Sequence, residues 1–362
     1  MEPLPKPAEA EARVRGGVSL LPGRVAVGDR LGRPMRDLRI SVMDRCNFRC
    51  PYCMPRDEFH DRYRFLRASE RLSFPEIVRV VRVAVGLGVR KLRITGGEPL
   101  LRSGLAELVG ELSTLEGVED LALTTNGVLL AQHAAELKGN GLHRVTVSLD
   151  SIDEATFERM SGGFGGLSQV LEGIDAALDA GLAPVKVNTV VKRGVNERGV
   201  LPLLERFRGT GVVVRLIEYM DVGNRNAWRR DEVVPSAKLL ASIGARWPMT
   251  PLPGAQHGEV AERYAYADGA GEIGFISSVT APFCGDCNRA RLSSEGTFYT
   301  CLFAEHGTEL RAPLRAGAGD DELEALVRRA WSRRADRYSE LREARRDSEQ
   351  PLQKIEMHYI GG

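Results

Sequence analysis

From Leu38 onward, short apolar runs alternate with turns and with segments whose apolar residues recur at helical spacing. The runs Leu38–Val42, Lys91–Thr95, Leu121–Thr125, Arg144–Leu149, Pro184–Val191 and Val212–Ile217 are rich in Val, Ile and Leu, as buried parallel strands are. Helices are expected between them, over about 104–115, 130–139, 167–181 and 197–208. One more begins at the capping-box pattern Ser73-Phe74-Pro75-Glu76 and stops at Gly86-Leu87-Gly88. Strand–helix alternation implies βαβ units and parallel pairing. Six units are too few to close an eight-stranded barrel, leaving a doubly wound sheet or an open barrel. Polar and glycine residues gather after four of the runs: Thr95-Gly96-Gly97-Glu98-Pro99, Thr124-Thr125-Asn126-Gly127, Ser148-Leu149-Asp150 and Glu218-Tyr219-Met220-Asp221. Four strand ends carrying such residues form a ring. The expected fold is therefore α/β, an incomplete (β/α)6 TIM-type barrel.

The flanks differ in character. Residues 1–34 carry Pro, Gly and charge without periodicity and read as a mobile N-terminal arm, to which no function is assigned. The barrel is expected over 35–222. In the C-terminal region, 223–362, the alternation fails, and 223–282 reads as loops and short antiparallel strands. A single helix over about 319–346 follows, and the run Arg328-Arg329…Arg333-Arg334 reads as its solvated face. The glycine-rich loop Ser161–Gly166 suggests mobility.

A hydrophobic fraction of 43% with 27% charged residues fits a soluble globular protein. The net charge of +1 gives no bulk electrostatic case for nucleic acid or an anionic membrane. No apolar run approaches the roughly 20 residues of a membrane helix. The first residues lack the apolar core of a signal peptide, so a cytoplasmic location is expected.

Six cysteines fall in two groups of three: Cys46, Cys50 and Cys53, then Cys284, Cys287 and Cys301. Three disulfides are disfavoured in a large chain without an export signal, and the clustering points to metal. Three thiolates can hold three irons of a four-iron cluster and leave the fourth open to a ligand. The first group follows directly on a strand. Zinc there would want a fourth ligand, for which His60 is the nearby candidate, and C-x3-C-x2-C is unusual for zinc. For the second group, spacing alone leaves zinc and iron–sulfur open, because His306 could complete a Cys3His site. Arg289 and Arg291 stand just after it. In an extended run both face the same way, as a fork for an anion beside an open iron. Charged Arg39, Arg93 and Lys186 sit inside apolar runs, which a barrel lumen would explain.

The first group, with Tyr52 before its last cysteine and Gly96-Gly97-Glu98-Pro99 further on, resembles the radical S-adenosylmethionine superfamily. The glycines there would let backbone approach the ligand closely. With Leu38–Val42, Leu92–Arg102, Thr124–Gly127, Val147–Ser151, Val185–Asn188, Phe283–Leu292, Cys301-Leu302-Phe303 and the terminal Gly361-Gly362, the chain closely resembles the GTP 3′,8-cyclase family of molybdenum-cofactor biosynthesis. The likeness covers about residues 28–362.

The resemblance implies two 4Fe–4S clusters, one held by Cys46, Cys50 and Cys53, the other by Cys284, Cys287 and Cys301. It implies S-adenosylmethionine against Tyr52, Gly97, Ser148 and Met220. GTP would be held by Arg39, Arg93, Thr124, Lys186, Arg289 and Arg291. The C-terminal extension would carry the second cluster and close the barrel mouth, with Gly361 and Gly362 reaching toward the catalytic centre. The implied reaction is that of a lyase: a deoxyadenosyl radical removes the ribose 3′ hydrogen of GTP, and C3′ attacks C8 to give 3′,8-cyclo-7,8-dihydro-GTP. The implied partners are GTP, an electron donor the sequence does not identify, and the next enzyme, cyclic pyranopterin monophosphate synthase. A homodimer is left open. The rival readings are another radical enzyme with an auxiliary cluster and a zinc-stabilised binding protein.

Overall fold

Strands β1 (Asp37–Ser41), β2 (Lys91–Thr95), β3 (Asp120–Thr125), β4 (Arg144–Ser148), β5 (Lys186–Val191) and β6 (Val213–Glu218) lie side by side in chain order, every pair parallel. The computed structural model describes residues 26–163, 166–254, 258–346 and 353–361; the arm before residue 26, part of the glycine-rich loop and Gly362 lie outside these. The crossovers carry α1 (Phe74–Gly86), α2 (Leu105–Ser113), α3 (Leu130–Gly139), α4 (Glu154–Ser161), α5 (Leu167–Asp179) and α6 (Val200–Phe207). The capping box before α1 is formed: the Ser73 hydroxyl accepts from Glu76 N at 3.3 Å, and Glu76 Oε2 accepts from Ser73 N at 2.7 Å. Helix α4, outside the expected helical segments, is capped by Asp153 accepting from Thr156 N at 3.0 Å.

Beyond β6 come α7 (Ser236–Arg246), β7 (Met249–Leu252), β8 (Glu262–Tyr266), β9 (Glu272–Ile276), β10 (Arg289–Leu292), β11 (Thr297–Tyr299) and β12 (Thr308–Glu309). Strands β7, β8 and β9 are the expected short antiparallel strands, and they pair in chain order as a meander. Strand β9 also joins β6 in parallel, and β10 joins β1 in parallel at the opposite edge. The C-terminal region therefore extends both edges of the barrel sheet. The sheet runs β12-β11-β10-β1-β2-β3-β4-β5-β6-β9-β8-β7 and stays open.

Side chains alternate across a strand, and here the two faces are chemically opposite. The outer face carries Leu38, Ile40, Leu92, Ile94, Leu121, Leu123, Val145, Val147 and Val187, all with no exposure, packed with the helices in one core. Burying each such side chain contributes about 1.5–3 kcal/mol. The opposite positions are Arg39, Arg93, Thr124, Arg144, Thr146, Lys186, Asn188, Arg215 and Arg291, which face the lumen.

The chain then forms α8 (Arg311–Arg315), α9 (Asp320–Ser332), α10 (Tyr338–Arg346) and the short α11 (Met357–Ile360). The single helix expected over 319–346 is thus broken at 333–337. Its carbonyls there are taken by tertiary donors: Arg334 O accepts from Arg30 N at 3.1 Å, and Asp336 O from Arg33 Nη1 at 2.9 Å. Arg334 is correspondingly buried, not part of a solvated face; Arg329 and Arg333 are exposed. Residues 26–34, expected as mobile arm, lie on the fold: Val27 N donates to Leu87 O at 3.2 Å, and Gly28 bridges Pro34.

Candidate active site

The first cysteine loop leaves the C-terminal end of β1. Its backbone folds back on itself, Cys53 N and Met54 N both donating to Cys50 O at 2.9 Å, while Arg49 Nη1 donates to Cys46 O at 2.7 Å. The thiols are close enough to interact. Burial first, then the charges of Cys53 and Cys46, push Cys50 well above the usual thiol range. Cys46 is pushed up to about 12 by burial and then Glu98, and Cys53 upward by burial and then Cys46. Thiolates so crowded need a cation, and a coordinated thiol is deprotonated outright. All six cysteines are free thiols. Among the described residues no three His, Cys, Asp or Glu converge on a single metal ion. His60 and His306, the candidate fourth zinc ligands, are both exposed. Three interacting thiols in one loop are a donor set that fits an iron–sulfur cluster.

The turn after β2 locks onto this loop. Gly97 N donates to Met43 O at 2.6 Å and Glu98 N to Arg45 O at 2.9 Å. A Cβ on Gly97 would meet Arg45 O at 2.4 Å, so the glycine is required here by the approach of two backbone segments. Buried Glu98 accepts from Leu100 N, Asn126 N and Thr125 Oγ1 at 3.0, 2.7 and 2.7 Å. Burial raises its carboxyl to about 7 against those bonds. Tyr52 OH donates to Asp150 Oδ2 at 2.7 Å, tying the cysteine loop to the end of β4 beside Ser148. Because the strands are parallel, Tyr52, Gly97, Ser148 and Met220 all lie at the same end of the barrel.

The second triad is assembled from separate segments. Cys284 opens a one-turn helix, Cys287 closes it with Cys287 N donating to Cys284 O at 3.2 Å, and Cys301 follows β11. Burial would raise the Cys287 thiol, but Arg289 and then Arg334 outweigh it and bring it to about 7. Arg289 Nη2 lies 3.1 Å from its sulfur. Cys301, buried and near Asp336, is pushed up to about 12. Cys301 packs with Met220 and Met357 around Val222, Phe303 and Tyr338. The second triad therefore abuts both the end of β6 and the C-terminal tail.

Between the triads lies the lumen. Arg291, Arg39 and Arg93 are direct cross-strand neighbours in one row. Like charges placed opposite each other repel. Burial, then Arg291, lowers Arg39 to about 9; burial, then Arg39, lowers Arg93 to about 9; burial, then Arg289, lowers Arg291 to about 10. Arg39 Nε, Arg93 Nε and Arg289 Nη1 are buried without hydrogen-bond partners among the described residues. Arg93 Nη1 reaches Thr124 Oγ1 at 3.1 Å and Thr146 Oγ1 at 3.2 Å. Lys186 is lowered to about 7 by burial and then Arg215. Arg39, Arg93, Thr124, Lys186, Arg289 and Arg291 thus occupy strand positions on the same, inward face of the sheet.

The tail enters the same space. Ile360 O lies 3.5 Å from Arg291 Nη1, and the His358 backbone lies near enough to the Cys53 thiol to temper its upward shift. Gly361 has φ 75°, and a Cβ there would meet Thr95 Cγ2 at 2.3 Å. The tail is strapped outside by Lys354 Nζ on Asp221 Oδ2 at 3.2 Å and by Glu356 Oε1 accepting from Asn224 N at 3.0 Å.

Sequence reasoning missed Arg215, whose Nε donates to Asn188 Oδ1 at 2.9 Å and whose Nη2 reaches Thr146 Oγ1 at 3.3 Å. Its signal was available: a lone arginine in the run Val212–Ile217, by the logic already applied to Arg39. Asp150 was also missed; burial raises it to about 6 although Tyr52 and Val190 N donate to it.

The Radical SAM superfamily model matches residues 40–207, and the Molybdenum Cofactor Synthesis C model matches 212–340. A GTP 3′,8-cyclase of Xanthomonas campestris pv. campestris (strain 8004) is 55% identical over 334 residues, 92% of this chain and 97% of that one. The GTP 3′,8-cyclase of Acidothermus cellulolyticus is 50% identical, covering 93% and 99%, and that of Staphylococcus epidermidis (strain ATCC 12228 / FDA PCI 1200) 46%, covering 93% and 99%. In fold the chain is similar to Streptococcus suis SuiB, with a TM-score of 0.57 at 14% identity over 92% of this chain and 74% of that one. With both halves matched and relatives this close along nearly its whole length, the chain belongs to the GTP 3′,8-cyclase family of radical S-adenosylmethionine enzymes.

Proposed function

We infer that the protein is a lyase that binds GTP in the barrel lumen and closes it to 3′,8-cyclo-7,8-dihydro-GTP, the opening reaction of molybdenum-cofactor biosynthesis. The observation that carries this is the row Arg291–Arg39–Arg93, crowded, largely withdrawn from solvent and lowered in pKa, lying between two thiol triads. A triphosphate would relieve the repulsion and satisfy the free guanidinium N–H groups. Thr124 and Thr146 steady Arg93, Asn188 and Thr146 steady Arg215, and Lys186 adds a further charge.

Cys46, Cys50 and Cys53 would hold one 4Fe–4S cluster and Cys284, Cys287 and Cys301 the other. When bound, the first cluster with S-adenosylmethionine supplies one-electron cleavage to a carbon radical able to take a ribose hydrogen, and the second offers an open iron to the guanine. The chain's part is placement and exclusion. Tyr52, Gly97, Ser148 and Met220 lie where they would line the S-adenosylmethionine site. The tail, anchored by Lys354 and Glu356, covers the mouth and keeps water from a reactive intermediate. Gly361 would let that cover lie flush against Thr95.

Among the described residues no helix is long and apolar enough to cross a membrane. A cytoplasmic setting, an unidentified electron donor, a cyclic pyranopterin monophosphate synthase acting next and a homodimer remain our expectations. The test is anaerobic incubation of reconstituted protein with reductant, S-adenosylmethionine and GTP. We expect 5′-deoxyadenosine in proportion to GTP; no deoxyadenosine above a GTP-free control would refute the reading.

A further inference from the structure

One buried carboxylate, through two arginines, ties together both peptide segments that carry the second cysteine triad. Asp29, whose side chain is wholly buried, accepts from Arg33 Nε at 2.6 Å and from Arg334 Nη1 at 3.1 Å on the same oxygen. Its other oxygen accepts from Leu31 N and Arg33 N, each at 2.9 Å. Arg33 Nη1 then donates to Cys284 O at 2.6 Å and to Asp336 O at 2.9 Å. Arg334 Nη1 donates to Cys287 O at 2.7 Å, and its Nε to Thr300 O at 3.0 Å, the carbonyl of the peptide entering Cys301. Trp331 closes the assembly: its Nε1 donates to Arg33 O at 3.0 Å, and the Arg334 guanidinium lies 4.5 Å from its ring centroid.

Among the described residues, one arginine, Arg49, reaches the carbonyls of the first cysteine loop. The first three cysteines lie within eight residues and are spaced by their own backbone. The second three come from a turn and a strand end, so their spacing must be imposed by tertiary contacts. The two buried guanidiniums are paired with Asp29 and, for Arg334, also with Asp336 at 3.6 Å, so they stand fixed behind the sulfurs, and bonds from beyond the ligands set the ligands' geometry.

We propose that Asp29, Arg33 and Arg334 are positioning residues that hold Cys284, Cys287 and Cys301 at cluster spacing and specifically retain the second cluster. This gives the segment 26–36 a role in the auxiliary site. The proposal rests on the assignment of the second triad as cluster ligands. The experiment is iron release from anaerobically reconstituted full-length protein challenged with an iron chelator. In Asp29→Asn, we expect half of the iron to leave about tenfold or more faster than in the unmodified protein. The other half should leave at the unmodified rate, and GTP-independent cleavage of S-adenosylmethionine should be unchanged. Release unchanged throughout, or both halves accelerated together, would overturn the proposal. Arg33→Met, which keeps the Asp29–Arg334 pair, is the second variant should Asp29→Asn fail to fold; it should speed release of the same half, and unchanged release overturns the proposal equally. A Cys284→Ala/Cys287→Ala/Cys301→Ala variant that holds as much iron as the unmodified protein would show instead that the ligand assignment is wrong.

Discussion

The two cysteine triads solve one chemical problem in different settings. The first sits in a continuous loop where burial and neighbouring negative charge, Glu98 for Cys46 and other cysteines for Cys50 and Cys53, push every thiol upward. The second is drawn together from separate segments, with arginines that bring Cys287 down to about 7 despite its burial, while burial and Asp336 push Cys301 up to about 12. The contrast separates their tasks. A centre that gives up an electron to cleave a sulfonium suits a site with little cationic support. A centre that holds a polyanionic substrate suits one that borders a cationic lumen.

Cys50→Ala and Cys287→Ala should split most sharply. Cys50→Ala should abolish 5′-deoxyadenosine formation under all conditions. Cys287→Ala should leave GTP-independent cleavage of S-adenosylmethionine while abolishing cyclised product. Equal loss of both activities in the two variants would remove the division of labour.

The lumen gives the next largest effect. Arg39→Met removes a charged donor worth about 1.5–3 kcal/mol, so GTP should bind roughly 10- to 100-fold more weakly with both clusters intact. The same change relieves repulsion in the row with Arg291 and Arg93. The ligand-free protein should therefore melt at a higher temperature, a separation of stability from function that calorimetry with and without GTP would detect. A lower melting temperature would contradict crowding as the cause.

Lys186 sets a pH dependence. Its ammonium is lowered to about 7 by burial, then by Arg215, Arg144 and Lys91. Below that pH it is already charged. Above it, the free protein holds it neutral, and an incoming triphosphate must draw in a proton. GTP affinity should fall as pH rises above about 7, with proton uptake visible as a buffer-dependent binding heat. Lys186→Met should bind more weakly and lose that dependence.

Ser73→Ala, far from both triads, should cost about 1 kcal/mol of stability through the lost cap of α1 and leave activity unchanged. It is the control for nonspecific destabilisation, read by thermal unfolding.

Most of the barrel was legible because buried parallel strands are near-continuous apolar runs, and β2 was placed to the residue. The lumen was legible for a related reason: Arg39, Arg93 and Lys186 violate that pattern, and only an interior polar cavity accommodates them. What the sequence hid is long-range. Strand β9 reads as part of a meander, and nothing local says that it also pairs in parallel with β6. The break after α9 depends on donors, Arg30 N and Arg33, that lie some three hundred residues away. Arg334 looked like one member of a solvated arginine run for the same reason. The Gly96-Gly97 turn was expected to admit a ligand, and its tightest approach is to the backbone of the first cysteine loop.

The most direct test of the central claim, that GTP in the lumen loses its ribose hydrogen at the first centre, uses GTP carrying deuterium at C3′. The account predicts that the 5′-deoxyadenosine formed contains that deuterium. Deoxyadenosine formed at the full rate without deuterium would contradict it.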